Sequence, residues 1–78
     1  MTAKEALRRS GENLKVIREH KNYSVEALAV LSGVNPEMII AMEAGNFDFQ
    51  ISSVYELAAA LNVDFRQILV DSMAYGRN

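Results

Sequence analysis

Leu28, Ala29, Ser32, Gly33, Val34, Ile39, Met42 and Glu43 have the spacing of two short helices pinned together by a tight turn, in the run L-A-V-L-S-G-V-N-P-E-M-I-I-A-M-E. Such a unit holds its second helix outward, where side chains can reach base edges in a DNA groove. The charge pattern complicates that chemistry. Residues 22–65 contain no Lys or Arg, against the acidic Glu26, Glu37, Glu43, Asp48, Glu56 and Asp64. Nucleic-acid binders concentrate cations where they meet phosphate. Here Lys4, Arg8, Arg9, Lys15, Arg18 and Lys21 all precede the acidic stretch, interleaved with only Glu5, Glu12 and Glu19.

Other chemistries find little footing. The chain has no Cys and one His. A disulfide framework and a thiolate metal site are therefore excluded, and His20 with scattered carboxylates does not make a metal site. There is no Gly-rich phosphate loop, and the carboxylates fall at helix starts and exposed faces rather than in converging pairs. We expect no enzyme activity, no metal and no cofactor. At 78 residues the chain fits one domain over 1–78, with its core at about 10–70 and a frayed tail at about 73–78. No apolar run approaches a membrane span, and the adjacent Arg8 and Arg9 have no apolar stretch behind them, so a cytoplasmic protein is expected.

The positioning elements read as helices throughout, with no strand-like alternation. The first is predicted over about 3–21, with Leu7, Leu14, Ile17 and Val16 as its inner stripe and with Gly11 admitting a neighbouring helix closely. Ser24 caps the second, which runs to about Leu31 and buries Leu28, Ala29 and Leu31. Gly33 is suited to the positive φ of the stop that follows. Asn35-Pro36-Glu37 is a helix start on three counts: Asn caps, Pro needs no amide partner, and Glu offsets the dipole. That third helix runs to about Ala44 with Ile39 and Met42 inward, and Gly45 ends it. Ser53-Val54-Tyr55-Glu56 fits a capping box for a fourth helix, whose start could lie up to three residues earlier. Asp64 caps a fifth, with Phe65, Ile68 and Leu69 inward, fading after about Ser72.

With Gly11-x-x-Leu14-x-x-Ile17-Arg18, the run 24–45 and Leu57-Ala58-x-x-Leu61-x-Val63 in this order and spacing, the chain resembles the Xre/Cro family of phage-repressor-like helix-turn-helix proteins. The resemblance covers about 10–69. In length the chain is similar to small single-domain controller proteins of restriction–modification systems and to compact phage regulators. The resemblance implies an all-α, compact five-helix bundle, lambda-repressor-like, that binds double-stranded DNA as a homodimer with helix 36–44 in the major groove. It implies a structural ion pair between Arg18 and Glu43. It also places Asn35, Pro36, Glu37, Met38 and Ala41 in the base-reading slots. Of these, Asn35 can donate or accept, Glu37 accepts only from a cytosine amino group, and Met38 and Ala41 can touch thymine methyls. Where family members commonly carry Gln, this chain has Val25; where basic or polar residues are common, it has Ala44, Asn46 and Phe47.

Each assignment has a plainer counterpart. Asn35 can be a cap alone, and Glu37 a dipole partner that repels phosphate. Ser24, Val25, Lys15, Lys21 and Asn46 are the phosphate candidates, with Arg8 and Arg9 possible additions; Lys15 and Lys21 equally suit a solvated helix face. Backbone amides at helix starts can hold phosphates without any Lys. Ile40, Phe47, Phe49, Val70, Met73 and Tyr75 are candidates for a dimer or partner surface. Two functions follow. One is a sequence-specific transcriptional regulator with a shallow salt dependence. The other is a protein–protein interaction module on the same scaffold, with Met38, Ile40, Phe47 and Phe49 meeting a protein partner and DNA binding lost.

Overall fold

The structure, a computed structural model, describes residues 2–46 and 50–70. Its elements are α1 (Ala3–His20), α2 (Val25–Ser32), α3 (Pro36–Glu43) and α4 (Ile51–Leu61), followed by a 3₁₀ turn (Phe65–Gln67). The starts follow local chemistry. Thr2 and Glu5 form a reciprocal capping box on α1, Ser24 Oγ accepts from Ala27 N, and Asn35 Oδ1 accepts from Glu37 N at 2.8 Å with Pro36 next in line. Gly33 stops α2 with φ 79°.

α3 packs on both α1 and α2, α2 also packs on α4, and α4 holds the 3₁₀ turn. Leu14, Leu28, Ile39, Met42, Val54, Leu57, Leu61 and Ile68 meet in one fully buried cluster. Each contributes roughly 1.5–3 kcal/mol through its removal from water. α1 crosses α3 at Gly11. A Cβ there would fall on the Met42 carbonyl oxygen and 2.9 Å from that of Glu43, so the crossing requires glycine. Ser10 is buried beside it and accepts from Val70 N at 3.2 Å, while Asn13 Nδ2 donates to Ile68 O, tying the end of the described chain to α1.

Four expectations are corrected. The fifth helix is a single 3₁₀ turn among the described residues, although Asp64 does cap it and Ile68 and Leu69 are buried; residues 71–78 lie outside those described. The capping box at Ser53 and Glu56 does not form, because α4 starts at Ile51 and Ser53 is buried inside it against Met38 Sδ. Leu31 is 56% exposed, and Val16 also faces outward. Leu7 and Ile17 are half-buried.

Candidate nucleic-acid interface

α2 and α3 bend away from each other by 118° across residues 33–35. That angle lies in the about 90–120° range of helix-turn-helix units. The turn leaves the start of α3 standing clear of the bundle. Asn35, Pro36, Glu37 and Ile40 are exposed, Met38 and Ala41 are half-buried, and only Ile39 and Met42 turn fully inward. The base-reading candidates therefore separate into an exposed trio at the start of the helix and two partly shielded residues behind it. Asn35 spends its Oδ1 on the cap, which leaves its side-chain amide protons for an outside acceptor. Met38 packs against the core cluster, with Ser53 Oγ 3.8 Å from its sulfur, so one margin of it is available.

The other end of α3 is anchored by charge. Arg18 Nε donates to Glu43 Oε2 at 2.7 Å and its Nη2 to Glu43 Oε1 at 3.0 Å, while Nη1 donates to the Tyr23 carbonyl at 2.8 Å. The side chains of Arg18 and Glu43 are only 10% and 8% exposed. The Glu43 hydrogen bonds hold the Arg18 guanidinium in its charged form even more firmly than usual. Arg18 is thus committed to joining α1, α3 and the α1–α2 turn.

Among the phosphate candidates, Ser24 caps α2, and the Val25 side chain packs on the core. Val25 can face a phosphate only through its backbone amide, which, as the first in its helix, has no intrahelical partner. The side chains of Lys15 and Lys21 are exposed and engage no described residue. Asn46 is exposed, and its backbone amide donates to Ala41 O. Val70 is half-buried, whereas Phe47, Phe49, Met73 and Tyr75 lie outside the described residues. Two exposed apolar residues not assigned to the surface from sequence, Val30 and Leu31, border the same unit; Val30 is 83% exposed. A helix of only two turns offers too short a period to tell its inner face from its outer one.

Among the described residues no group of His or carboxylates is gathered as a metal site, and no single helix is long and apolar enough to cross a membrane.

The fold and this geometry define a helix-turn-helix domain. A helix-turn-helix family model matches residues 14–68, and the chain belongs to that family, in keeping with its Xre/Cro resemblance. No curated protein sequence matches it. Solved structures do. The restriction–modification controller protein C.AhdI from Aeromonas hydrophila is 30% identical, with a TM-score of 0.78 over 81% of this chain and 96% of that one. The hypothetical transcription factor NHTF from Neisseria is 28% identical, with a TM-score of 0.76 over 90% of this chain and 82% of that one. A helix-turn-helix transcriptional regulator from Vibrio cholerae shares the fold at 23% identity and a TM-score of 0.82; the match covers 95% of this chain and 42% of the other.

Proposed function

We propose that this chain is a DNA-binding transcription regulator that places α3 in the major groove of double-stranded DNA and acts as a homodimer. The observation that carries the reading is the start of α3, where Asn35, Pro36, Glu37 and Ile40 are exposed while Ile39 and Met42 anchor the same helix in the core. Membership of the helix-turn-helix family and likeness to proteins named as a controller and as a hypothetical transcription factor support it. In this reading the Asn35 amide donates to a base edge, Met38 and Ala41 lie against thymine methyls, and Glu37 accepts from a cytosine amino group. The backbone amides of Val25 and Glu26, with Lys15, Lys21 and Asn46, meet phosphates. Arg18 and Glu43 set the helix in place without touching DNA. The half-buried Val70, at the end of the described residues, is a candidate for the seam between two copies, which would set the recognition helices about 34 Å apart.

Fluorescence anisotropy of random and palindromic duplexes at low salt tests the reading. Binding that weakens steadily as salt rises, on a slope of roughly −0.9 per neutralised phosphate, is the expected result. No binding at about 20 mM salt, where phosphate attraction is least screened, contradicts it. A second reading has its own observation. Val30, Leu31 and Ile40 are each more than half exposed, and Glu26 and Glu37 are the exposed charges on the same two helices, Glu43 being buried against Arg18. That surface suits a protein partner, and it becomes the favoured function if the duplex titration fails.

A further inference from the structure

The cations that the helix-turn-helix unit lacks are returned to it by the packing of α1 across α3. A cleft of about 450 Å³ opens between the first turns of α1, with Thr2, Lys4, Glu5 and Arg8, and the chain just past α3, with Gly45 and Asn46. α1 comes this near because Gly45 has no side chain. A Cβ there would lie 2.9 Å from Arg8 Cα, and the φ of 75° is one that side chains disfavour. The backbone amides on the α3 side are already used: Ala44 N donates to Ile40 O, Gly45 N to Met42 O and Asn46 N to Ala41 O. On that side, donors to any guest must therefore be side chains.

The side chains at the cleft include two cations, Lys4 and Arg8, with the Asn46 amide, the Thr2 hydroxyl and the Glu5 carboxylate. Lys4 is exposed, and its side chain makes no hydrogen bond or ion pair with a described residue. Arg8 is held from outside by Glu12 at 3.1 Å, a pair more than half exposed on both sides and so weak enough to yield to a stronger anion. Glu5 is turned to its own helix start, where it accepts from Thr2 N at 3.0 Å. α3 has eight residues and is thus about 12 Å long. A recognition helix that lies in the major groove with its first residues at the bases carries its other end toward the flanking backbone.

We propose that this cleft is a phosphate clamp. It holds one phosphodiester of the bound duplex beside the end of α3, with Lys4 and Arg8 as its cations and the Asn46 side-chain amide as a further donor. The inference rests on the DNA-binding reading above and assigns to the first turns of α1 a role in holding the recognition helix in register.

The test compares wild type with the double variant Lys4→Gln, Arg8→Gln in duplex anisotropy across a salt series. Both side chains are exposed, so thermal melts of the two proteins are expected to match and to verify that the fold is kept. The double variant is expected to bind every duplex at least tenfold more weakly at low salt, since about tenfold is the low end for a single lost charge-assisted contact and two are removed. Its salt slope is expected to be shallower by about 0.9 per subunit. Arg66→Gln, on the 3₁₀ turn and outside the proposed interface, serves as a control for general loss of charge. Affinity and slope unchanged in the double variant, or changed no more than in the control, overturn the clamp while leaving DNA binding intact. If wild type itself fails to bind, the DNA-binding reading falls and takes the clamp with it. Inorganic phosphate, exchanged for chloride at constant ionic strength, is expected to leave wild-type binding unchanged. Competition by phosphate would identify a site for the free anion and would also overturn the clamp.

Discussion

The Arg18–Glu43 pair is the sharpest place to perturb the structure. Glu43→Gln keeps the shape of the side chain and one acceptor oxygen but removes its charge. The Arg18 guanidinium, 10% exposed, then faces a neutral amide, with only the Tyr23 carbonyl at 2.8 Å and the exposed Glu19 carboxylate at 3.9 Å as other partners. Breaking a buried ion pair from one side costs about 3–5 kcal/mol. The oxygen that remains places this case near the lower end, at about 3 kcal/mol. A chain of 78 residues has roughly 4–12 kcal/mol in total, so the loss is a large share. It corresponds to a fall in Tm of about 12 °C or more. Urea unfolding followed by far-UV circular dichroism measures it, with an unchanged m-value showing that the same surface is exposed. The double variant Arg18→Met, Glu43→Leu removes both charges and fills the space, and it is expected to lie within about 1.5 kcal/mol of wild type. A cost under 1 kcal/mol for Glu43→Gln, or a double variant no better than the single one, would refute the reasoning.

Glycine substitutions should divide sharply. Gly11→Ala drives a Cβ into the α3 backbone and is expected to cost about 3 kcal/mol or more. Gly33→Ala meets nothing within 4 Å and should cost only the about 1–2 kcal/mol of a left-handed φ; denaturant melts separate the two. Asp64 is held down to about 2 by Arg66, through its side chain first and its backbone amide second. Because the folded value is depressed, the capped turn is favoured above the ordinary carboxylate range and loosens as pH falls from about 4 towards 2. Carboxyl NMR titration should therefore give Asp64 a midpoint near 2 in the folded protein; a midpoint near 4 would show that the Arg66 contacts do not persist. Glu37→Gln removes a carboxylate from the exposed first turn of α3. Affinity for random duplexes should rise several-fold as phosphate repulsion is lost, preference for cytosine at the Glu37 contact should fall, and stability should drop by about 0.5 kcal/mol, the usual dipole contribution.

Local chemistry was readable in the chain wherever one residue answers to the backbone beside it. Ser24, Asn35 and Asp64 cap their elements, Gly33 takes its positive φ, and Pro36 opens α3. The interior of α3 was also legible, since Ile39 and Met42 have helical spacing and sit at a tight turn. What escaped depends on distant packing. Ser53 and Glu56 have the spacing of a capping box, yet the space under Met38 draws Ser53 into the interior of α4. Ser10 reads as a helix weakener, but it is buried where it accepts from Val70, sixty positions along. Leu31 and Val16 are apolar and exposed, and nothing in their immediate neighbours marks them so. The meeting of Lys4 and Arg8 with Gly45 and Asn46 joins segments far apart in the chain, so the charge asymmetry was visible while its spatial remedy was not.

The central claim is that the exposed start of α3 meets DNA. Amide NMR spectra recorded while a duplex is added at low salt test it residue by residue. Shifts are expected to concentrate at Glu37, Met38, Ile40 and Ala41 and at the opening amides of α2, Val25 and Glu26. Spectra that stay unchanged, or that change only along α4 and the 3₁₀ turn around Tyr55 and Phe65, would contradict it.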